Sequence, residues 1–231
     1  ILGEYGPRVP FFAAACISIL NFAYGYLVLP ETLPRESRRP FSLARSNPIG
    51  VFKVFATYRQ ALPLCIVMAM YFFATSVYPA IWAFWGIARF NWSEMTIGWT
   101  LSVFGLITAV VQGGLTGPAV KWLGERNTTI LALATSVIAA AGYGVATGMS
   151  MVLILFLVHA PEGFAQPALT ALMSKDAPPD AQGELQGGIA SAQNLALLVG
   201  TVMFAQIFGY FLQDGSPIQS PNVAYFISAA L

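Results

Sequence analysis

The sequence predicts an all-α fold, a polytopic bundle of transmembrane helices. Hydrophobic residues make up 57% of the 231 residues and charged residues only 9%, far below the roughly 25% of an average soluble domain. The mean hydropathy is +0.68. Several apolar runs also reach the ~20 residues that a helix needs to cross a bilayer. These observations argue against an ordinary soluble globular domain.

Six apolar runs of spanning length follow one another, and a seventh stops where the sequence ends. The spans are predicted at residues 9–29, 62–87, 96–115, 128–147, 149–173 and 189–212. The seventh run, at residues 223–231, is too short to cross by itself. The connections after the second span are short, and are predicted at residues 88–95, 116–127, 148, 174–188 and 213–222.

Basic residues fall mainly on one side of these crossings. If the spans cross in turn, one side collects only Arg8 and Arg89, and the other collects nine of the 11 lysines and arginines: Arg35, Arg38, Arg39, Arg45, Lys53, Arg59, Lys121, Arg126 and Lys175. Because cytoplasmic loops are enriched in Lys and Arg, we assign residues 30–60, 117–127 and 175–183 to the cytoplasm. The formal net charge is only +1, so no nucleic-acid partner is expected.

The polar stretch at residues 30–60 is predicted to be a cytoplasmic linker. It contains four prolines and most of the basic charge, a composition typical of irregular structure, with a short amphipathic helix expected at the membrane interface around residues 49–55. The linker separates residues 1–29, expected to end an N-terminal half, from residues 61–231, expected to form a C-terminal six-helix half with a truncated last helix. Such an arrangement is typical of secondary transporters.

An ordered set of motifs resembles a known family. The first span closes with Leu-Pro-Glu-Thr-Leu-Pro, as the sixth helix does in drug/proton antiporters of the major facilitator superfamily. Later motifs are similar to the tetracycline-efflux proteins of that superfamily. In chain order, the matching segments are residues 29–34, 78–85, 89–93, 97–101, 124–126, 167–169, 173–174 and 182–187.

The resemblance implies helices 6 to 11 and the beginning of helix 12 of a twelve-helix transporter, whose N-terminal half is expected to be a missing partner. It implies alternating access in a bacterial inner membrane, with protons exchanged for a small amphipathic drug such as tetracycline or a related compound. No cofactor or metal is implied. The alternatives are a non-transporting scaffold or receptor on the same fold and an intramembrane enzyme using His159 and Glu162.

The fifth span carries ionisable groups within its apolar run. His159, Glu162 and Gln166 are three and four residues apart, which places them on one helix face. Pro161 and Gly163 interrupt the helix, and broken membrane helices often line binding sites. One hypothesis is that Glu162, tuned by His159, binds a proton or a cationic drug. The alternative is that the two side chains pair and only hold neighbouring helices together.

The second span carries an aromatic and polar stripe. Tyr71, Thr75, Tyr78, Trp82 and Trp85 follow at spacings of four and three residues, which aligns them on one face. The inner members Tyr71, Thr75 and Tyr78 are candidates to line the pathway. One hypothesis is that the stripe stacks planar drug rings. The alternative is an aromatic belt at the outer interface, because tryptophans favour the headgroup region; it would hold Trp82, Trp85, Trp92 and Trp99.

Other spans add the polar candidates Thr108, Gln112 and Asn194. Gln112 and Asn194 are preferred, although such residues also serve helix packing. In an ungapped reading of the resemblance, Thr108 stands where the tetracycline-efflux proteins carry histidine and Ser136 where they carry aspartate. Glu162 stands where they have a small residue. The resemblance therefore implies that proton coupling either has moved to Glu162 or rests wholly on the absent half.

The cytoplasmic stretch at residues 117–126 resembles a loop that superfamily members repeat in each half as part of an inner gate. The resemblance implies gate ion pairs between this loop and the next cytoplasmic loop, and a solvated loop is the alternative. The candidate gate residues are Lys121, Glu125, Arg126, Asp176, Asp180 and Glu184.

Overall fold

The computed structural model describes residues 6, 8–30, 54–175, 177–178 and 181–231, and all regular elements in these ranges are helical. The predicted all-α fold is confirmed. The elements are α1 (Val9–Val28), α2 (Val54–Thr57), α3 (Ala61–Thr75), α4 (Val77–Phe90), α5 (Glu94–Val110), a π-helical turn (Val111–Leu115), α6 (Thr116–Val145), α7 (Met149–His159), a 3-10 turn (Ala160–Phe164), α8 (Ala165–Ser174), α9 (Gln182–Leu212) and α10 (Val223–Ala230).

Five helical stretches of the described chain are long and apolar enough to cross a membrane. They are Val9–Val28, Ala61–Phe90, Glu94–Val145, Met149–Ser174 and Gln182–Leu212. The third of them has 52 residues and would be about 78 Å long as a straight helix at 1.5 Å per residue. Because a bilayer core is only ~30 Å thick, this stretch must supply two crossings, as the sequence predicts.

The predicted loops at residues 116–127 and 174–188 are both too long. In the first, Gly124 is the residue with non-helical backbone angles, φ 76° and ψ 158°, a conformation that glycine adopts without a Cβ penalty. In the second, α9 begins at Gln182. Its early start is explained by the burial of Leu185, which is 0% exposed and belongs to the same core cluster as Met173 and Ile189.

The chain divides into two compact units between residues 41 and 42. The first unit contains α1, a predominantly apolar helix in which no residue is buried. The second unit contains α2 to α10, in which α3 and α4 pack along α9.

The end of the predicted linker packs into the second unit instead of lying at the membrane interface. Val54 and Phe55 of α2 are only 2% and 5% exposed. They pack against α9 at Gly188, where an added Cβ would come within 2.9 Å of Val54 Cγ1. Apolar burial, therefore, overrides the expected interfacial position at residues 54 and 55. Residues 31–53 lie outside the described part of the chain.

Three of the four tryptophans expected in the aromatic belt are buried inside the protein. Trp82, Trp85 and Trp92 are 7%, 0% and 8% exposed and belong to one buried aromatic cluster. Two of their indole N–H groups are satisfied inside the protein. Trp85 Nε1 donates to Asn222 Oδ1 at 2.8 Å, and Trp82 Nε1 donates to Thr100 Oγ1 at 3.2 Å. With these partners, the two rings need no headgroup region to hydrate their polar edges.

Candidate functional site

A break in the span Met149–Ser174 positions its ionisable side chains. α7 ends at His159, and the 3-10 turn Ala160–Phe164 joins it to α8. Pro161 lies at the start of that turn and has no N–H to donate to the preceding helical turn. The predicted interruption of this helix is confirmed, and the turn carries Glu162 into the interior of the bundle.

Glu162 is buried among polar partners from two helices. The hydroxyl of Tyr71 donates to Glu162 Oε1 at 2.7 Å, and Nε2 of His159 contacts Glu162 Oε2. The side chains of His159 and Glu162 are only 2% and 12% exposed. Burying a carboxylate costs free energy unless hydrogen-bond donors surround it. The contacts with Tyr71 and His159 therefore stabilise Glu162 in its buried position.

His159 has a polar neighbour at each of its two ring nitrogens. The hydroxyl of Tyr143 lies 3.3 Å from His159 Nδ1, while Nε2 faces Glu162. A neutral imidazole has one donor nitrogen and one acceptor nitrogen. If Tyr143 donates to Nδ1, then Nε2–H donates to the carboxylate. In this tautomer, the donors of Tyr143, His159 and Tyr71 all lead towards Glu162.

The aromatic stripe of α3 and α4 meets this acid–imidazole pair. Tyr71 reaches Glu162, and the Tyr78 ring lies 4.8 Å from the His159 ring, centroid to centroid. Thr75 has a different contact, because its hydroxyl donates to the carbonyl of Tyr71 at 2.9 Å. Two of the three stripe candidates therefore touch the pair, and the third bonds to its own helix backbone.

The π-helical turn Val111–Leu115 packs against the 3-10 turn. A Cβ added to Gly163 would lie 3.0 Å from Val111 Cγ1 and 3.4 Å from Gln112 Cγ, so the two irregular turns approach closely at this glycine. Such π-helical turns often occur at functional sites. One turn earlier, Thr108 donates to the carbonyl of Phe104 at 2.9 Å.

The remaining polar candidates do not enter the buried cluster. Gln112, Gln166 and Asn194 are exposed in the described chain, on the π-helical turn, α8 and α9 respectively. Exposed amides inside long apolar helices remain compatible with a water-filled pathway or with helix packing.

A cavity of about 230 Å³ opens beside His159. Its wall is apolar and includes Tyr78, Trp82, Phe104, Tyr143, Phe156 and His159. Phe104, Tyr143 and Phe156 were not among the sequence candidates. Phe104 lies four residues before Thr108, and Tyr143 stands alone among alanines and glycines at residues 139–144. The helical spacing of Phe104 from Thr108 and the isolated aromatic residue Tyr143 were therefore signals that the sequence contained.

A different cavity of about 210 Å³ lies beside Tyr71. Ser136 and Ser228 contribute to its wall, and Ser228 donates to the carbonyl of Ala74 at 2.9 Å. Ser136 is 8% exposed, so the position at which the resemblance places an aspartate is buried near Tyr71.

On the side assigned to the cytoplasm, the structure pairs Glu125 with Lys175, a combination that the gate hypothesis did not include. Lys121 and Arg126 are exposed, and Glu184 lies in the first turn of α9, where the helix dipole favours an acid. Asp176 and Asp180 lie outside the described residues. Among the residues that are described, no group of three or more His, Cys, Asp or Glu is placed to hold a metal ion.

Comparison with known proteins gives a consistent result. The family model described as Major Facilitator Superfamily matches residues 1–201. The chain is 31% identical over 231 residues to the class C tetracycline resistance protein of Escherichia coli, covering 100% of this chain and 57% of that protein. It is 30% identical over 210 residues to the class G protein of Vibrio anguillarum, covering 90% and 53%.

A more distant similarity is to the Hippocampus abundant transcript 1 protein of Homo sapiens, 23% identical over 212 residues, covering 90% of this chain and 43% of that protein. The chain spans about half the length of the curated relatives it matches. No solved structure matches it.

Proposed function

The chain belongs to the Major Facilitator Superfamily of membrane transporters, and we propose that it forms the C-terminal part of a proton-coupled exporter of small amphipathic drugs. Its site in the bacterial inner membrane and a substrate such as tetracycline, or a related compound, are proposed from the bacterial relatives named above. The partner of this part is the rest of the same transporter, and the substrate moves in exchange for protons.

The observation that carries this proposal is the connected series Tyr143–His159–Glu162–Tyr71, in which hydrogen bonds join the two outer pairs and a side-chain contact joins His159 to Glu162. An ionisable residue in a membrane helix is costly and usually marks an ion or proton pathway. Here the acid is held by a broken helix, next to a cavity, and contacts an imidazole. We assign proton binding to Glu162, with His159 and Tyr71 as the residues that position it.

Protonation of Glu162 changes this network instead of merely removing a charge. The ionised carboxylate accepts from both Tyr71 and His159, whereas a protonated carboxyl has a hydrogen to donate. If it donates to His159 Nε2, then Nδ1 carries the ring hydrogen and Tyr143 must accept instead of donate. The network thus has two discrete hydrogen-bond arrangements, and protonation of Glu162 can shift the equilibrium between them.

The remaining candidates take roles that fit this scheme. We propose that the exposed amides of Gln112, Gln166 and Asn194 face the substrate pathway that this part shares with the rest of the transporter. We also propose that the pair Glu125–Lys175 takes part in the inner gate, along with the other charged candidates of the cytoplasmic loops: Lys121, Arg126, Asp176, Asp180 and Glu184.

The test is drug-driven proton movement by the full-length protein in proteoliposomes, with a small panel that includes tetracycline. Native protein is expected to move protons when drug is added, and Glu162→Gln is expected to abolish this while the protein stays folded. Glu94→Gln is the matched control, because Glu94 is an exposed acid in the first turn of α5. If Glu162→Gln retains coupling, Glu162 has a structural role and does not bind the coupled proton. If no compound of the panel moves protons, the exporter proposal is contradicted.

A further inference from the structure

The cavity beside His159 is lined mainly by aromatic rings. The Trp82 ring centroid lies 5.4 Å from that of Tyr143 and 5.7 Å from that of Phe156. The Phe104 ring lies 5.4 Å from Phe156 and 4.9 Å from His159. The face of an aromatic ring carries partial negative charge, so each ring of the wall that turns its face to the cavity favours a cation there.

The nearest ionisable acid adds to this preference. Glu162 contacts the imidazole of His159, and that ring forms part of the cavity wall. No lysine or arginine contributes to the described wall of this cavity, so nothing there offsets the carboxylate charge. The wall is apolar and thus offers a neutral polar ligand little compensation for its lost hydration. A quaternary cation, which has no N–H to satisfy, is the better match.

The cavity extends from mid-membrane towards the side opposite the basic loops. Phe104 and His159 each lie ten residues from the start of α5 and α7, at Glu94 and Met149, which is about 15 Å at the helical rise. Tyr143 is two residues from the end of α6. With the basic loops in the cytoplasm, this position lies on the outward side of Glu162, where an exported compound arrives last.

The size of the cavity limits what it holds. Its volume of about 230 Å³ corresponds to roughly seven or eight water molecules in the liquid. That room suits a compact head group, and it accommodates only part of a polycyclic drug. The relevant chemistry is therefore that of a head group on a larger amphipathic molecule.

We propose that this aromatic cavity binds the trimethylammonium-like head group of an organic monocation, with Glu162 as its countercharge across His159. The inference rests on the proposed function, because it names the substrate class of the same exporter. Proton binding to Glu162 removes the countercharge and weakens the hold on the cation. Proton entry and cation release thereby become linked steps, as an antiporter requires.

The test is equilibrium binding of choline and of its neutral isostere, 3,3-dimethylbutan-1-ol, to the full-length protein. The two probes differ at one atom of the head group, nitrogen or carbon, so a difference in binding reports the charge. Choline is expected to bind at least about tenfold more tightly, and Glu162→Gln is expected to remove most of that difference.

Two substitutions separate ring chemistry from folding. Phe104→Leu is expected to weaken choline binding about fivefold, since it removes one ring from the wall, while Phe104→Tyr keeps a ring and is expected to retain binding. Phe84→Leu is the matched control, because Phe84 lies on α4 with 62% of its surface exposed. Equal affinity for the two probes, or choline binding that survives Phe104→Leu, overturns the proposal.

Proton movement, measured on the same samples, distinguishes this inference from the proposed function. If tetracycline or another drug moves protons while the protein binds choline no more tightly than its isostere, the cation-site proposal is wrong and the exporter proposal stands. If choline binds selectively but no compound moves protons, the cation site stands and the exporter proposal fails.

Discussion

Tyr71 and Glu162, 91 residues apart in the chain, are joined by a 2.7 Å hydrogen bond between α3 and the 3-10 turn that breaks the fifth span. This bond connects two features that are separate in the sequence, the aromatic stripe and the intramembrane acid. It also fixes which carboxylate oxygen remains for His159, because Tyr71 occupies Oε1 and the imidazole faces Oε2. The geometry of the proposed proton site therefore depends on a residue from a different helix.

Tyr71→Phe is expected to lower drug-driven proton movement about tenfold without unfolding the protein. The substitution removes only the hydroxyl that donates to Glu162, and hydrogen bonds to charged groups contribute roughly 1.5–3 kcal/mol, whereas 1.4 kcal/mol already corresponds to a factor of about ten. Proton uptake in proteoliposomes, normalised to the amount of folded protein, is the measurement.

Tyr210→Phe supplies the control for this substitution, because Tyr210 lies on α9 with 52% of its surface exposed. It makes the same chemical change away from Glu162 and should leave proton uptake unchanged. Equal uptake by Tyr71→Phe and native protein would show that the hydrogen bond does not position the acid for coupling.

Gly200→Ala is expected to destabilise the protein by about 1–3 kcal/mol, the usual cost of overpacking a tight contact. A Cβ at this position would lie 2.7 Å from the backbone carbonyl oxygen of Phe73 and 3.1 Å from Ser76 Cβ. A backbone oxygen cannot rotate away as a flexible side chain can, so α9 would have to move from α3 and α4. Thermal unfolding of the purified protein in detergent measures the effect.

The same helix offers the matched comparison. Gly209 is also within α9, and an added Cβ there meets no atom within 4 Å. Because alanine is a better helix former than glycine by up to ~1 kcal/mol, Gly209→Ala should leave Tm unchanged or raise it. A similar loss of Tm in both variants would assign the effect to glycine in general and not to the approach at Gly200.

The crossings were predictable because bilayer thickness and apolar composition alone set the length of a spanning helix. The helix ends were not, because outside the bilayer core tertiary packing decides whether polar residues stay helical. Leu185 illustrates this, since its burial extends α9 through residues that look like a loop. Gly124 is similar, because its single non-helical conformation replaces the twelve-residue connection predicted from polarity at residues 116–127.

Residue spacing along the helix was sufficient to predict part of the candidate site. His159 and Glu162 are three residues apart, and their side chains are in contact. The contacts of Glu162 with Tyr71 and of His159 with Tyr143 join residues from different helices, and helical periodicity carries no information about which helices meet. Thr75 lies on the predicted face, yet its hydroxyl bonds to its own backbone, a local competition that spacing does not reveal.

Phe55→Ala is expected to lower the free energy of unfolding by about 3 kcal/mol or more, the usual cost of truncating a buried phenylalanine. Phe55 is 5% exposed and belongs to the core cluster that includes Leu185 and Ile189. If α2 lay at the membrane interface, as its sequence suggests, the same substitution would have a small effect. Thermal unfolding distinguishes the two positions.

Phe84→Ala is the comparison for this truncation, because its side chain is 62% exposed on α4. It should change Tm much less than Phe55→Ala. Limited proteolysis after residue 55 provides a second measurement, since undocking of α2 should accelerate cleavage in Phe55→Ala only. Equal Tm values for the two variants would contradict the docked position of α2.

Reversing the charge of Lys175 is expected to change drug efflux while leaving stability nearly unchanged. The Lys175 side chain is 59% exposed and its partner Glu125 is 20% exposed, and exposed ion pairs contribute only ~0–1 kcal/mol. Lys175→Glu places two acids together at the proposed inner gate, and the double variant Glu125→Lys with Lys175→Glu restores the attraction. We expect slower efflux in the single variant and recovery in the double variant. The difference in efflux between the two variants should be smaller at high salt, because salt screens exposed charges.

Arg89→Glu, on the side opposite the cytoplasmic loops, is the control. A double variant that is no better than Lys175→Glu would remove this pair from the gate.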